Sequence, residues 1–269
     1  MSLHPRVVVC LDVKDGRVVK GTRFEGLRDV GDPVELAARY EAEGADEIVY
    51  LDISASREDR GTLLDVVRRT AEVLFVPLTV GGGVRAAADI GPLLRAGADK
   101  ISVNTAAVND PAILAEGARR FGSQCIVISV DAARVATGTG GGPKEPTEWR
   151  AFTHGGSRPT EKDAVAWAAE AVAHGAGEVL LTSIDRDGVR TGYDVELTRA
   201  VADRVPVPVV ASGGAGSASH LRDAFVEGHA SAALVAGILH DGLTTVGSLK
   251  GSLTDWGLPV RPTPARATT

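Results

Sequence analysis

The sequence repeats itself at a fixed distance of 131 residues. The matching segments are EIVYLDI at 47 with EVLLTSI at 178, TVGGGV at 79 with VASGGA at 210, and GADKISVNTAAV at 97 with GHASAALVAGIL at 228. A constant period predicts two copies of one structural unit that share a core. We expect the two halves at about 1–122 and 123–260, followed by a polar, proline-bearing tail at 261–269 that is disordered.

Within each copy, short β-branched runs alternate with longer segments of helical periodicity. Eight strands are expected near 6–13, 47–53, 76–80, 100–103, 125–130, 178–184, 207–211 and 232–236. Continuous apolar strands indicate burial on both faces, and eight strand and helix pairs predict a closed parallel sheet. The chain of 269 residues is therefore expected to be of the α/β class, a single (β/α)8 TIM barrel with an internal two-fold half-barrel repeat.

Charge and composition exclude several classes of function. A net charge of -6 argues against binding to nucleic acid or to an anionic membrane, because both need a basic face. No apolar run approaches the ~18 residues that cross a membrane. Cys10 and Cys125 lie beside apolar runs and are expected to be reduced core residues, as is typical of a cytoplasmic protein. The sequence has no zinc-ligand spacing and no nucleotide-binding motif, so we expect no metal and no cofactor.

Glycine-rich turns follow two of the predicted strands. GGG (81–83) comes after the third strand and SGGAG (212–216) after the seventh, and each precedes a helical segment. Such turns expose backbone N–H groups that bind phosphate. The segments NTAA (104–107) and AGIL (236–239) follow the neighbouring strands and would complete each site. Two sites at one barrel mouth predict a ligand phosphorylated at both ends; the alternative is that the glycines only permit tight turns.

Carboxylates end the first strand of each half. Asp12 and Asp131 follow strands 1 and 5, which lie opposite each other in an eight-stranded barrel. Because the active site of this fold lies at the carboxyl ends of the strands, the two are candidates for an acid and base pair. The alternative is that each one only caps the following loop.

Two further segments place polar residues at the mouth. TSIDRDG (182–188) supplies Asp185, Asp187 and Gly188, with Thr182 and Ser183 just inside, although an Asp-Gly pair is also an ordinary turn. VKDGRVVKG (13–21) predicts a small hairpin that brings Lys20 to a phosphate, unless that lysine is only solvated.

Two regions lie away from the predicted catalytic residues. The segment 138–159 after Asp131 is rich in glycine and proline and predicts a surface loop, either an active-site lid or a tolerated insertion. At the starts of strands 1, 2, 4 and 6 stand four charged residues, Arg6, Glu47, Lys100 and Glu178. They are either solvated strand ends or a paired ring that closes the barrel floor.

Seven segments together resemble one known family. They are CLDVKDGRVVKG, DPVELA, VGGGVR, GADKISVNTAAV, FGSQ, GAGEVLLTSIDRDGVRTGYD and ASGGAG. They are similar to the cyclase subunits of imidazole glycerol phosphate synthase, of histidine biosynthesis, and the resemblance spans about residues 4–260. It implies a barrel that receives ammonia from a separate glutaminase subunit at its amino-terminal face. The implied substrate is a ribulosyl aminoimidazole carboxamide nucleotide with two phosphates, and the products are imidazole glycerol phosphate and an aminoimidazole carboxamide ribotide.

The resemblance also implies a role for individual residues. Asp12 and Asp131 would be the acid and base pair. One phosphate would be held by Gly83, Asn104 and Thr105, and the other by Asp187, Gly188, Gly214, Ala236 and Gly237. Arg6, Glu47, Lys100 and Glu178 would form a gate for ammonia, and Asp99 would contact the glutaminase.

The chain departs from the family pattern at one phosphate position. Where the family usually reads ALAASIFH, this chain reads ALVAGILH, so Gly237 stands in place of a serine. One side-chain hydrogen bond, worth about 1 to 3 kcal/mol where charge-assisted, is thereby absent. Two alternatives stay open: the related isomerase of the same pathway, also a duplicated barrel with a bisphosphate substrate, and a non-catalytic barrel that binds bisphosphates. The charged quartet favours the cyclase, since an isomerase needs no ammonia.

Overall fold

The computed structural model describes residues 4–22, 25–53, 60–135 and 148–263. The described strands are β1 (Arg6–Lys14), β2 (Arg17–Thr22), β3 (Glu25–Gly31), β4 (Glu47–Asp52), β5 (Leu78–Gly81), β6 (Lys100–Val103), β7 (Ile126–Val135), β8 (Glu148–Thr153), β9 (Arg158–Asp163), β10 (Glu178–Ser183), β11 (Val209–Ser212) and β12 (Ala232–Val235). The described helices are α1 (Pro33–Ala42), α2 (Arg60–Ala71), α3 (Ala87–Arg95), α4 (Thr105–Asn109), α5 (Ala112–Phe121), α6 (Ala164–Ala173), α7 (Val195–Ala202), α8 (Ala218–Val226), α9 (Gly237–His240) and α10 (Val246–Asp255).

Eight of these strands form a closed parallel barrel. In hydrogen-bonding order they are β1, β4, β5, β6, β7, β10, β11 and β12. β12 pairs in parallel with β1, and β10 pairs in parallel with both β7 and β11, so the sheet has no open edge. The (β/α)8 barrel predicted from the sequence is confirmed, and its strands follow one another around the cylinder in chain order.

Strand alternation divides the apolar side chains into two cores. The inner core fills the lumen and consists of Val8, Cys10, Val49, Val127, Leu180, Val210, Ala232 and Leu234. The larger outer core lies between strands and helices, and it includes the intervening residues Val7, Val9 and Leu11 of β1. Continuous apolar runs therefore arise because both faces of each strand are buried.

Helix α1 begins and ends at residues typical of helix termini. Asp32 is the N-cap, and its carboxylate accepts hydrogen bonds from the amides of Val34 and Glu35 at 2.9 and 3.2 Å. Pro33 occupies the first turn, where its missing N–H costs nothing. Gly44 follows the helix with φ of +104°, a conformation that favours glycine.

The hairpin predicted over the mouth is present. β1 and β2 pair antiparallel from Asp12 opposite Val19 to Lys14 opposite Arg17. The turn between them is Asp15-Gly16, with φ of +50° and +74° as a tight hairpin turn requires. This pairing carries Lys20 back toward the carboxyl end of the barrel, and β3 continues the ribbon.

The region predicted as a surface loop at 138–159 is partly regular. Residues 136–147 lie outside the described residues, but β8 and β9 form an antiparallel hairpin that extends the long strand β7. The indole of Trp149 donates to Asp194 at 3.3 Å, and the guanidinium of Arg134 lies over the indole ring. The prediction of a loop was therefore wrong for 148–159, because tertiary pairing with β7 outweighs the glycine-rich composition.

Three smaller expectations can be compared with the structure. Among the described helices, none has the length and apolar character that crossing a membrane requires. Both cysteines are free thiols; Cys10 is buried in the lumen, while Cys125 is only partly buried. Arg261, the first residue of the predicted tail, donates to Asp46 and to the carbonyl of Ala45, both at 2.6 Å, whereas 264–269 lie outside the described residues.

Candidate active site

Asp12 and Asp131 approach the lumen from opposite sides of the barrel mouth. Along β1 the alternation that points Val8 and Cys10 inward also points Asp12 inward at the carboxyl end. On β7 the inward residue Val127 precedes Asp131 by four positions. The order of strands puts three strands between β1 and β7 by either route, so the two aspartates face one another.

The carboxyl of Asp131 is buried and oriented by a neighbour. The side-chain amide of Asn104 donates to Asp131 Oδ2 at 2.9 Å. Burial raises the pKa of Asp131 to about 7, the charge of Asp187 adds to the rise, and the Asn104 hydrogen bond opposes it. Within the described part of the chain, the buried Oδ1 of Asn104 has no hydrogen-bond partner. An acceptor therefore stands beside Asp131, where a substrate can use it.

Asp12 lies in a similar environment with a cation nearby. Burial raises the pKa of Asp12 to about 6, against the opposing charge of Lys20, while Asp187 again raises it. The thiol of Cys10 lies 3.9 Å from Asp12 Oδ1 and weakly favours the carboxylate. Both carboxyls thus change protonation near neutral pH, which allows one to give a proton while the other takes one.

The backbone of neighbouring loops lies so close to three of the turn glycines that a side chain has no room there. A Cβ on Gly82 would lie 2.0 Å from the carbonyl oxygen of Asp52, and one on Gly213 would lie 2.6 Å from that of Ser183. A Cβ on Gly214 would be equally close to its neighbour, 2.1 Å from the Gly192 carbonyl oxygen. The expectation that phosphates account for these glycines is therefore incomplete, since backbone packing alone excludes side chains at these three positions.

Gly83 and Gly237 differ from those three. A Cβ on Gly83 would meet only the Asp52 carboxylate among the described residues, at 3.9 Å, and one on Gly237 would come no closer than 3.5 Å to Arg190 and Lys20. Within the described part of the chain, neither of these two glycines is packed against backbone. They are the positions where a ligand can approach the chain.

The first cradle consists of Gly83, Asn104 and Thr105, at the ends of β5 and β6. The hydroxyl of Thr105 accepts a hydrogen bond from the amide of His154 at 3.0 Å, so the β8–β9 hairpin reaches this site. The structure therefore brings together the three residues that the sequence predicts for this phosphate, and adds the turn of the hairpin beside them.

The second cradle is a cavity of about 360 Å³. It is lined by Lys20, Arg28, Asp187, Gly188, Arg190, Ser212, Gly213, Gly214, Ala215, Leu234, Ala236, Gly237 and Asp241. Every residue predicted for this phosphate is among them. The two arginines and Asp241 were not predicted, because they come from three separate segments whose proximity no local pattern indicates.

The side chains of Thr182 and Ser183 lie on opposite faces of β10. Thr182 lies opposite Asp131 in the β7–β10 register and on the inward face with Leu180. Ser183 falls on the other face with Leu181, so the structure does not bring its hydroxyl into the lumen. Asp185 accepts from the amide of Arg134 at 2.8 Å and supports the hairpin instead of the site.

The four charged residues at the amino ends form a closed ring. Arg6 pairs with Glu47 at 2.8 Å and with Glu178, and Lys100 pairs with Glu47 at 2.7 Å and with Glu178 at 2.6 Å. Burial opposes the charge of Glu178, but Arg6 and Lys100 outweigh it and hold the pKa of that carboxyl below its usual value. Of the two interpretations, the paired ring is the one that the structure shows.

Asp99 stands beside this ring. It is exposed, and its carboxylate accepts from the amide of Leu78 at 2.8 Å at the start of β5. The residue therefore lies at the amino-terminal face of the barrel, where a second protein could reach it.

Matched alanine substitutions at Gly82 and Gly83 test the packing of the turns. Gly82→Ala should lower the free energy of unfolding by about 3 kcal/mol or more, because its Cβ would overlap the Asp52 carbonyl. Gly83→Ala should cost only about 1 kcal/mol, the strain of a positive φ. Urea denaturation measures both, and equal losses would contradict this account of the turns.

Removal of the Asp187 charge tests the electrostatics of the mouth. Asp187→Asn should lower the pKa of both Asp12 and Asp131, because the Asp187 charge raises each of them. Carboxyl ¹³C shifts followed through a pH titration would report the two values. A fall at only one aspartate would show that Asp187 does not lie between them. Asp255→Asn, at the exposed end of α10, provides a control substitution.

Comparison with known proteins agrees with this geometry. The family described as histidine biosynthesis protein matches residues 6–245. A protein of Myxococcus xanthus (strain DK1622), named imidazole glycerol phosphate synthase subunit HisF, is 67% identical over 259 residues, which are 96% of this chain and 98% of that protein. The chain thus belongs to the histidine biosynthesis protein family and, within it, to the HisF cyclase subunits of imidazole glycerol phosphate synthase.

Proposed function

We propose that this chain uses ammonia to convert the bisphosphorylated ribulosyl aminoimidazole carboxamide nucleotide into imidazole glycerol phosphate and an aminoimidazole carboxamide ribotide. The observation that carries this proposal is the placement of Asp12 and Asp131 at opposite sides of one lumen, each with a pKa near neutrality. The high identity to a HisF subunit favours the cyclase over the related isomerase.

Acid and base chemistry follows from the two pKa values. Addition of ammonia to the ribulosyl carbonyl gives an imine and water, which requires a proton on the leaving oxygen and removal of protons from nitrogen. With pKa values of about 6 for Asp12 and about 7 for Asp131, each carboxyl exchanges a proton near neutral pH, so either one can act as the acid or the base. The same pair then serves the cleavage of the carbon–nitrogen bond and the closure of the imidazole ring.

The two cradles would hold the ends of this substrate. Gly83, Asn104 and Thr105 would bind one phosphate, and the cavity around Gly188, Gly214, Ala236, Gly237 and Lys20 the other. Asp187 lines the same cavity, while Thr182 faces the substrate from β10. A molecule fixed at both ends keeps its reactive middle between Asp12 and Asp131, and such positioning supplies much of the rate enhancement.

The barrel interior suits the passage of ammonia. The ring of Arg6, Glu47, Lys100 and Glu178 closes the floor, and above it the lumen is lined by the apolar inner core. Neutral ammonia can enter such a lumen, whereas ammonium would lose its hydration without compensation. A glutaminase subunit would dock at the floor, with exposed Asp99 among its contacts. We expect this chain and its glutaminase partner to work in the cytoplasm, as the two free thiols suggest.

Asp131→Asn tests the catalytic assignment. Cyclisation should fall by about 100-fold or more, because an amide cannot exchange the proton. The raised pKa means that Asp131 favours the folded state at low pH and loses that contribution as the pH rises through about 7. The variant should therefore melt above the wild type at pH 8, with a smaller difference at pH 5. Turnover equal to the wild type would overturn the role of Asp131.

Lys100→Ala tests the gate. The ring loses two of its ion pairs, so ammonia made by the glutaminase should escape at the floor. In the complex, the ratio of glutamine-driven to ammonium-driven turnover should drop, while ammonium-driven turnover persists. Lys162→Ala, which removes a surface pair with Glu170, is the control. An unchanged ratio would count against the gate.

A further inference from the structure

One carboxylate holds two arginines across the second cradle. Asp241 pairs through Oδ1 with Arg28 of β3 and through Oδ2 with Arg190 of the loop between β10 and α7. All three side chains line the cavity around Gly237. Two guanidinium groups that converge on one two-oxygen anion form the arrangement that a phosphate would also satisfy.

The backbone of Arg190 is fixed where it stands. Its φ is +61°, which is uncommon for a residue other than glycine. Its carbonyl packs on Gly216, where an added Cβ would lie 2.2 Å from that oxygen, and the amide of Gly192 donates to Gly214 at 2.9 Å. Backbone strain held by such packing is a feature of functional sites. The loop thus presents Arg190 to the cradle from a defined position.

The Arg190 guanidinium faces the space left open at Gly237. A Cβ there would lie 3.5 Å from Arg190 Nη2, 3.9 Å from its Nε and 3.5 Å from Lys20 Cε. The guanidinium of Arg190 and the aliphatic part of the Lys20 side chain therefore lie next to the backbone at the start of α9. An anion placed against Gly237 would meet both cations at once.

The ion pairs around Asp241 are open to exchange. The side chains of Arg28 and Arg190 are 54% and 41% exposed, and that of Asp241 is 25% exposed. Pairs that solvent can reach contribute little net stability, so an incoming anion can replace the carboxylate. A phosphate offers more charge and three acceptor oxygens against two.

We propose that Arg190 and Arg28 bind the phosphate at the second cradle, and that Asp241 is an internal anion that holds both guanidinium groups until the phosphate replaces it. This proposal rests on the proposed function for the identity of the ligand. It also explains how the cradle works without a side chain at position 237: the arginines supply charge-assisted hydrogen bonds that a hydroxyl there would otherwise give.

Titration with inorganic phosphate tests the proposal without turnover. Amide shifts of Gly214 and Gly237 report the second cradle, and that of Thr105 reports the first. Arg190→Gln should weaken phosphate binding at Gly237 by about tenfold or more, with Thr105 unaffected. Asp241→Asn should strengthen it several-fold, since the competing charge is gone. Arg199→Gln on α7 is the matched control and should change neither.

Two results would overturn the proposal. Phosphate binding at Gly237 that is unchanged in Arg190→Gln would remove Arg190 from the site. Binding that Asp241→Asn weakens or leaves unchanged would show that Asp241 does not compete with the phosphate. Thermal unfolding of each variant verifies that the fold is retained.

Steady-state kinetics of the cyclisation reaction provide a second test. Arg190→Gln should raise KM about tenfold or more and leave kcat within about threefold, because the residue binds a part of the substrate that does not react. Adding Gly237→Ser should recover part of that KM, and by a larger factor than the same substitution lowers KM in the wild type. If Gly237→Ser changed KM by the same factor with and without Arg190→Gln, the serine and Arg190 would act independently, which would contradict a shared role in binding this phosphate. An inactive wild type would refute the proposed function instead, and the phosphate titration would still decide the role of Arg190.

Discussion

The two-residue period of the strands, inside a closed barrel, determines where the facing aspartates and the charged ring lie. On β1 this period points Arg6 to the floor, Val8 and Cys10 to the middle of the lumen, and Asp12 to the mouth. Closure through the β7–β10 pairing makes those inward faces converge. A register slip of one residue would turn both the charged ring and the carboxyl out of the lumen, so the fold and the site cannot be altered separately.

The apolar middle of the lumen determines the electrostatic environment of the charged groups at both of its ends. Burial is the main cause of the raised pKa of Asp12 and of Asp131, with the charge of Asp187 added. At the floor, burial of the ring makes each carboxylate depend on its two cations, and an apolar passage remains above it. The buried carboxyls of Asp12 and Asp131 therefore cost stability at alkaline pH, and the outer core between strands and helices must compensate.

Features that follow from periodicity could be predicted from the sequence. The 131-residue repeat and the alternation along each strand indicated the barrel and the facing aspartates, while the charged ring stayed one of two interpretations. The same alternation, counted from Glu178, would also have separated Thr182 from Ser183. Features that depend on contacts between loops could not be predicted: the packing of Gly82 on Asp52, the β8–β9 hairpin, and the meeting of Arg28 and Arg190 at Asp241. Each of these joins segments that no local pattern relates.

The most direct test of the central claim is a crystal structure of the chain with the bisphosphate nucleotide bound to an inactive Asp131→Asn variant. The account predicts one phosphate beside Gly83 and Thr105, the other beside Gly237 and Arg190, and the ribulosyl carbon between Asp12 and position 131. Both phosphates on one side of the mouth, or a ribulosyl group beyond hydrogen-bonding reach of Asp12, would contradict it.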